Sequence, residues 1–293
     1  MAARNSLSLD HITVTDTTPW RLAQLAAATG CTGICPFLYA MDVLPAMPRY
    51  NLVADRAARR ATRDALTATG IAVDLVYPFT MAGRTVVADF APVLEAGAEL
   101  GAPLANILCY DREPARRTEK LVELAELAAP YGIGLAIEFY PPSQLRTLGQ
   151  ALVEIERIGR ADVGVIVDLL HIMRGGDVAA SMALLSHPSI RMAQLSDGPA
   201  EMPTDRIEWE AGRQRQLPGE GSFDIRAFTA ALAPHVPLSV EAPRQSALDA
   251  GMSVLERARA AVEATRTCLL QSDDDDAVDR RYPVRTTNHD RTG

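Results

Sequence analysis

The stretch from Gly134 to Asp168, GLAIEFYPPSQLRTLGQALVEIERIGRADVGVIVD, decides the fold. It begins and ends with short apolar runs, Gly134–Phe139 and Val163–Asp168, which predict two buried strands. Between them, Thr147–Ile158 has apolar residues at helical spacing and predicts an amphipathic helix. A strand, a helix and a second strand in this order predict a parallel pair joined by a crossover helix.

The same alternation repeats along most of the chain. Eight strands are predicted in all, and the other six are Leu7–Val14, Thr32–Phe37, Ala72–Tyr77, Ala105–Cys109, Arg191–Leu195 and Pro237–Glu241. Ala- and Leu-rich helical segments lie between them, and a last helix is predicted from about Gln245 to Leu270. Eight such units can close into a (β/α)₈ TIM barrel, an α/β fold, which is the predicted fold class. A doubly wound open sheet is disfavoured, because the first strand is followed by TVTDTTPW and not by a glycine-rich dinucleotide fingerprint.

A single barrel domain is predicted over residues 1–270, followed by a tail over residues 271–293. After Leu270 the helical pattern stops, and the sequence reads QSDDDDAVDRRYPVRTTNHDRTG. This segment has very few apolar residues to bury, so we predict that it is disordered. Its run of four Asp could also bind a metal ion, but a solvated acidic run is the favoured interpretation.

Net charge, apolar runs and cysteine spacing limit the partners and cellular locations that are expected for the chain. The formal net charge of −8 disfavours nucleic acid, because neutralising phosphates needs a basic surface. The apolar runs are too short to cross a bilayer, and the N-terminus has no signal-peptide core, so a cytoplasmic protein is expected. The four cysteines are widely spread and are predicted to be ordinary thiols in a reducing compartment.

Four oxygen-bearing residues fall at the carboxyl ends of consecutive predicted strands: Glu138, Asp168, Gln194 and Glu241. Barrel enzymes place their active sites at these ends. Each of the four interrupts an apolar run, where an ionised group is costly unless it is paired or bound to a metal. Taken alone, each could simply begin a surface loop. Together they predict a divalent metal site, and all-oxygen ligands favour Mn²⁺ or Mg²⁺, with Co²⁺ as an alternative.

Five motifs carry a resemblance to a known family: AIEF, VDLLH, QLSDGP, LPGEGSFD and LSVEAP. The chain resembles the xylose-isomerase-like superfamily of sugar isomerases and epimerases from about Ser6 to Ala264, most specifically in its C-terminal half. In that superfamily two Glu, one Asp and a His or Gln bind the metal. The resemblance therefore implies the same ligand set, Glu138, Asp168, Gln194 and Glu241.

The resemblance also implies a reaction and the residues that perform it. Superfamily enzymes remove a proton from a carbon next to a carbonyl, and Glu138 and Glu241 match their acid and base. His171, three residues after Asp168, matches a substrate-binding His, although it could also be a helix-capping or core residue. Arg215 matches a substrate anchor, although it could equally be a surface residue. The implied partner is a small polyhydroxy carbonyl compound, and a homo-oligomer is left open.

Three other functions compete with a sugar isomerase. Gln194 fits hydroxypyruvate isomerase and 3-dehydroshikimate dehydratase, a lyase, better than the ketose 3-epimerases. However, the segment PFTMAGRTV has no His and no acidic residue where the dehydratase is expected to have its base. A DNA-repair endonuclease of this fold needs more His and Asp ligands than the chain offers, and the charge is wrong for it. A non-catalytic sugar-binding barrel is expected to have lost at least one ligand.

Some residues have two interpretations from sequence alone. His11 either points into the mouth of the barrel or has a structural role. Tyr77, Phe79 and Tyr140 either line the pocket or pack in the core. Asp197 either orients a ligand or forms a turn with the residues that follow it.

Overall fold

The computed structural model of the protein describes residues 6–281, and the side chains of residues 6–270. Its strands, β1 to β9, are parallel and form one sheet. They are Leu7–Asp10, Gly33–Cys35, Ala72–Val73, Val76–Met81, Leu104–Cys109, Gly134–Glu138, Val163–Asp168, Ile190–Leu195 and Leu238–Val240.

The sheet curves into a nearly closed barrel. Its order is β3-β2-β1-β9-β8-β7-β6-β5-β4, so the two outermost strands are neighbours in the chain. An isolated parallel bridge joins Phe37, two residues after β2, to Tyr77 of β4 and so spans the gap beside β3. The predicted (β/α)₈ barrel is therefore confirmed, with β3 and β4 sharing one of the eight positions.

The third predicted strand, Ala72–Tyr77, is wrong as a single strand. Ala72–Val73 pairs with β2, whereas Val76–Met81 pairs with β5. The break lies at Asp74, whose carboxylate turns inward and accepts a hydrogen bond from the Ser8 hydroxyl. Gly33 makes room for it, since a Cβ there would lie 1.9 Å from the Asp74 Oδ2 atom.

The first predicted strand is also too long. β1 ends at Asp10, and a short 3-10 helix, His11–Val14, follows it. The side chain of Asp10 begins this helix, because its Oδ1 atom accepts a 3.0 Å hydrogen bond from the Ile12 N–H.

The described residues form eleven α-helices, α1 to α11. They are Pro19–Ala28, Arg56–Thr69, Ala91–Glu99, Pro114–Ala128, Leu148–Ile158, Leu169–Arg174, Val178–Ala183, Ile207–Arg213, Ile225–Ala231, Gln245–Asp249 and Val254–Arg281. Further 3-10 helices are Val87–Phe90, Ala129–Tyr131 and Thr204–Arg206. Sequence periodicity did not predict α8, which lies between β8 and β9.

The last predicted helix, Gln245–Leu270, is divided in two. Helix α10 ends at Asp249, and Gly251 adopts a φ of +78°, a left-handed conformation that glycine reaches without strain. Helix α11 runs to Arg281 and so includes the first part of the segment predicted as a tail. The rest of that segment, residues 282–293, lies outside the described residues.

The side chains of the strands alternate between two cores. One core fills the barrel itself and contains Cys35, Phe37, Leu75, Tyr77, Ala136, Ile166 and Met192. The larger core lies between the strands and the helices. Because side chains alternate along a strand, a residue two positions after an interior residue also faces the interior. Glu138, Asp168 and Gln194 follow Ala136, Ile166 and Met192 in this way.

The four cysteines are free thiols, and three of them are buried. Among residues 6–281, no helix combines the length and the apolar character that crossing a membrane would require.

Candidate active site

The strand ends bring the four predicted ligands to one end of the barrel. Glu138 is the last residue of β6, Asp168 is the last of β7, and Gln194 lies opposite Asp168 in β8. Glu241 directly follows β9, and its N–H donates a 2.9 Å hydrogen bond to the Leu195 carbonyl. All four side chains are buried, so they must be paired with one another or with neighbouring groups.

Arg215 is the charged partner of two of these carboxylates. Its NH1 atom donates to Asp168 Oδ2 at 2.8 Å, and its NH2 atom donates to Glu241 Oε1 at 2.6 Å. Its Nε atom donates to the Ala211 carbonyl at 2.9 Å, which fixes the guanidinium against α8. The side chain is only 1% exposed. Arg215 is therefore not a surface residue.

His171 lies against the other side of the cluster. Asp168 caps helix α6 by accepting from the Leu170 N–H at 2.8 Å, and the first turn of that helix carries His171 back toward it. The His171 Nε2 atom lies 3.0 Å from Glu138 Oε1 and 3.4 Å from Asp168 Oδ2. Potential ligand atoms of Glu138, Asp168 and His171 all lie within 4.8 Å of one another and could hold a metal ion.

Gln194 offers an oxygen that has no protein partner. Its Nε2 atom donates to the Tyr77 hydroxyl at 2.8 Å and to the Glu241 carboxylate. Its Oε1 atom is buried and has no hydrogen-bond partner in the described part of the chain. An unpaired buried acceptor costs about 1–3 kcal/mol, and a bound cation would remove that cost. An amide oxygen beside buried carboxylates suits a hard divalent cation, so the residues present fit the implied metal.

Asp10, Tyr77 and Asn106 complete the network. Asp10 and Asn106 were not identified from the sequence, and Tyr77 was considered only as a pocket-lining or core ring. Asp10 accepts a 2.7 Å hydrogen bond from the Tyr77 hydroxyl, and Asn106 donates to the Glu138 carboxylate. Asp10 ends the apolar run LSLD as Asp168 ends VGVIVD, so the same signal could have found it. Asn106 lies inside β5 and gives no comparable signal.

The carboxylates differ in their tendency to carry a proton. Burial raises the pKa of Glu241 well above its ordinary value, and nearby Asp10 and Asp168 add to this effect, while Arg215 opposes it. Burial raises the pKa of Asp10 to about 7. Burial acts in the same direction on Asp168, but the charges of Arg215 and His171 hold its pKa below the ordinary value. Asp168 is thus the carboxylate of these three that stays ionised most readily.

The structure gives His11 and Asp197 structural roles. His11 Nε2 lies 3.0 Å from the Thr17 carbonyl, and its Nδ1 atom accepts from the Phe37 N–H at 3.2 Å. Burial lowers the pKa of His11 to about 4, so the ring is neutral near pH 7. The Asp197 carboxylate accepts hydrogen bonds from the N–H groups of Gly198, Gly219 and Phe223, and so holds the loop after β8.

An open cavity of about 800 Å³ lies above this network. Glu138, His171, Arg215 and Glu241 line its base. Aliphatic and aromatic side chains form much of its wall, and the aromatic ones are Phe37, Tyr77, Phe79, Tyr110, Tyr140 and Trp209. All three aromatic residues considered in the sequence analysis line it. Charged side chains, including Asp205, Glu208 and Arg213, also line it.

A family comparison agrees with this architecture. The model of the xylose isomerase-like TIM barrel family matches residues 23–268. The chain belongs to that family. Its curated relatives include enzymes of two reaction types, isomerases and a dehydratase.

Two relatives illustrate how much of this xylose isomerase-like barrel is shared. The inosose isomerase of Bacillus velezensis is 27% identical over 159 residues, which cover 51% of this chain and 55% of the relative. The 3-dehydroshikimate dehydratase of Pseudomonas aeruginosa is 33% identical over 136 residues, which cover 44% of this chain and 21% of the relative. The chain therefore spans about half the length of the inosose isomerase and a smaller part of the dehydratase.

Solved structures of similar fold cover nearly the whole barrel. The IOLI protein, solved with a bound zinc atom, superposes with a TM-score of 0.72 at 20% identity. The match covers 91% of this chain and 99% of the IOLI protein. A D-psicose 3-epimerase, solved in the presence of D-fructose, has a TM-score of 0.69 at 14% identity. The match covers 89% of this chain and 97% of the epimerase. At these identities the similarity shows the fold.

Proposed function

We propose that the chain is a divalent-metal-dependent isomerase or epimerase that removes a proton next to the carbonyl group of a polyhydroxy substrate. One observation carries this proposal. Three buried carboxylates and the unpaired Oε1 atom of Gln194 converge at the carboxyl ends of four consecutive strands, at the base of a cavity. The inosose isomerases among its relatives support the same reaction class.

Glu138, Asp168, Gln194 and Glu241 would hold the cation. When bound, it would stabilise the negative charge that develops on the substrate oxygen as the neighbouring proton leaves. Mn²⁺ and Mg²⁺ suit the oxygen ligands, and Co²⁺ is an alternative. The zinc atom in the IOLI structure adds Zn²⁺ to the cations that should be tested.

Glu138 and Glu241 are the proposed acid and base. They are held by different neighbours: Asn106 and His171 contact Glu138, whereas Arg215 and Gln194 contact Glu241. Because burial raises its pKa, Glu241 can hold a proton nearer neutral pH than an exposed carboxyl group can. If one of the two glutamates is protonated and the other is ionised, the ionised one can take a proton from one substrate position and the protonated one can give a proton to another.

His171 and Arg215 are the proposed substrate contacts. Both line the cavity beside the two glutamates. The His171 Nδ1 atom is buried and has no hydrogen-bond partner among the described residues, so the ring has hydrogen-bonding capacity that its Nε2 contact with Glu138 leaves unused. Arg215 already binds two carboxylates, so we expect it to orient these groups as well as the substrate.

A dehydratase is the second candidate, because the dehydratase relative is 33% identical over the region it shares with this chain. It begins with the same proton removal and then expels a hydroxyl group. The segment Pro78–Val86, which comprises the end of β4 and the loop after it, contains neither His nor an acidic residue, and this disfavours the dehydratase. A non-catalytic sugar-binding barrel is disfavoured because the whole ligand set is present and buried.

The test is proton exchange with and without metal. The purified protein is stripped with a chelator and incubated in D₂O with sugars, keto-sugars, an inosose or 3-dehydroshikimate, each with and without Mn²⁺ or Mg²⁺. Deuterium in the substrate, followed by mass spectrometry, reports proton removal, and the product separates isomerase from dehydratase.

We expect metal-dependent exchange that is lost in Glu138→Gln and in Glu241→Gln. Glu119→Gln, the same chemical change at an exposed position on α4, is the matched control and should leave exchange unchanged. A wild-type protein that binds no divalent cation above the background of the chelated buffer would refute the site and the reaction together.

A further inference from the structure

Gln194 poses a problem that a carboxylate ligand does not. Only one of the two terminal atoms of an amide can bind a cation, because Oε1 has lone pairs to offer and Nε2 carries two hydrogens. The two orientations differ by half a turn of the amide group. The neighbours of Gln194 must therefore decide which atom faces the cation.

The contacts of Gln194 select one orientation. Both Nε2 hydrogens have acceptors, the Tyr77 hydroxyl at 2.8 Å and the Glu241 carboxylate. The opposite orientation would bring Oε1 against these same two oxygens. In the observed orientation, Oε1 is buried and unpaired within the described chain, which is the state that a cation ligand requires.

The contact with Asp10 explains why the Tyr77 hydroxyl accepts a hydrogen bond from Gln194 and does not donate one to it. A tyrosine hydroxyl has a single hydrogen, and Tyr77 donates it to Asp10 Oδ2 at 2.7 Å. The other oxygen of Asp10 accepts from the Ile12 N–H at 3.0 Å, so the carboxylate is fixed by the backbone after β1. The direction of donation therefore runs from Gln194 through Tyr77 to Asp10.

We propose that Asp10 and Tyr77 are positioning residues that orient the Gln194 amide so that Oε1 faces the cation site. This inference rests on the metal site proposed above and assigns to two residues of the first half of the barrel a role in its affinity for metal. Both residues are buried, and the ring of Tyr77 stacks on Phe37 with ring centroids 4.8 Å apart. Packing and hydrogen bonding thus fix the hydroxyl in place.

Two nearly isosteric variants interrupt the series of hydrogen bonds from Gln194 through Tyr77 to Asp10 at different points. Tyr77→Phe keeps the stacked ring and removes one of the two acceptors of the Gln194 NH₂ group, leaving the Glu241 carboxylate as the other. In Asp10→Asn, the amide oxygen stays with the Ile12 N–H, so the new NH₂ group faces Tyr77. Tyr77 then accepts from the new amide and has its own hydrogen free for Gln194, which favours the reversed orientation of the Gln194 side chain.

The measurement is Co²⁺ affinity of the full chain after chelator treatment, from isothermal titration and from the visible absorption bands of bound Co²⁺. Residues that orient a metal ligand usually contribute about 10- to 100-fold to metal affinity. We expect the Kd for Co²⁺ to rise by about 10-fold or more in Tyr77→Phe and in Asp10→Asn. The Co²⁺ bands should change as well, because the cation loses an oxygen ligand. Tyr131→Phe and Asp64→Asn, on the helical shell, are the matched controls and should bind like the wild type.

Making the same two substitutions in a Gln194→Glu protein separates an effect on amide orientation from general damage to the site. In Gln194→Glu the two terminal atoms are both oxygens, so no orientation has to be selected. Tyr77→Phe and Asp10→Asn should then change the Kd for Co²⁺ by less than about 3-fold, a clear departure from additivity. Thermal unfolding of the chelated proteins checks that each variant is folded.

The outcomes are distinct. If the wild type binds no Co²⁺, the proposed function fails at its metal site. If the wild type binds and both variants keep its Kd within about 2-fold, the metal site stands and the positioning role is wrong. If the variants lose the same factor in the wild-type background and in the Gln194→Glu background, the effect is not one of amide orientation and the proposal is also overturned.

Discussion

Strands β6 to β9 and strands β1 to β5 contribute different kinds of group to the site. The later strands carry the proposed ligands, Glu138, Asp168, Gln194 and Glu241, at four consecutive ends. The earlier strands carry Tyr77 and Asn106, which hydrogen-bond to Gln194 and Glu138, and Asp10, which accepts from Tyr77. Proposed ligands and the groups that orient them are therefore far apart along the chain and still meet, because a barrel brings its first and last strands together.

The largest effect is expected in the later half, at Glu241. Glu241→Gln removes a proposed acid–base group and keeps the size of the side chain. We expect kcat for metal-dependent exchange to fall about 10²- to 10⁴-fold, the usual contribution of such a group. Deuterium incorporation at saturating substrate measures it. A fall of less than about 10-fold would assign proton transfer to another residue.

A large effect on stability is expected at Arg215, where a buried ion-pair network joins two of the later strands. Arg215→Met leaves the Asp168 and Glu241 carboxylates buried without their cationic partner. We expect the free energy of unfolding of the chelated protein to fall by about 3–5 kcal/mol. Adding Mn²⁺ should recover part of this loss, because a bound cation replaces the missing charge. Denaturant unfolding with and without Mn²⁺ tests both statements, and an equal loss in the two conditions would contradict the second.

A smaller effect is expected in the earlier half, at Asn106. Asn106→Ala removes the donor to the Glu138 carboxylate without removing the carboxylate. We expect kcat/KM for exchange to fall about 10- to 100-fold, less than for Glu138→Gln. If the two variants lose the same factor, Asn106 must itself contact the substrate, since it also lines the cavity.

The smallest effect is expected at His11, which supports β1 and touches none of the ligands. Its pKa in the folded protein is about 4, below the ordinary value of 6.5, because burial disfavours the charged ring. Unfolded chains therefore bind a proton that the folded protein excludes, and the His11 contribution to stability is complete above pH 6.5 and declines as the pH falls toward 4.

Between pH 6.5 and about 5.5 the wild type should lose about 1 kcal/mol more stability than His11→Gln. Urea unfolding of both proteins across this range measures the difference in slope. Comparing slopes removes the opposite contribution of Asp10, whose pKa is raised. Parallel curves would show that His11 is not a neutral buried group.

The sequence predicts the barrel and the ligand ends for the same physical reason. An apolar run that ends in a carboxylate, such as VGVIVD before Leu169, indicates both a buried strand and a polar group at its carboxyl end. The break at Asp74 could not be predicted, because it depends on an inward contact with Ser8 and on the space beside Gly33.

The supporting residues were harder to identify than the ligands. Asn106 pairs in register with Ala136, yet its side chain reaches Glu138, so its role depends on the register between two strands. Tyr77 is an aromatic residue in an apolar run, and nothing in its sequence neighbourhood distinguishes a hydrogen-bonded ring from a packed one. The substrate roles of His171 and Arg215 stay predictions.

The Arg215 guanidinium also bears on how the protein matures. Because Arg215 pairs with both Asp168 and Glu241, two carboxylates of the site have a cationic partner without a metal ion, so we expect the metal-free chain to fold, unlike small zinc domains that are unfolded without their metal. A cation could then bind to the proposed site after the chain has folded, and it could leave and be replaced. The ion at the proposed site would then be set by the concentrations of competing cations and by their relative affinities, and not by which cation was present during folding.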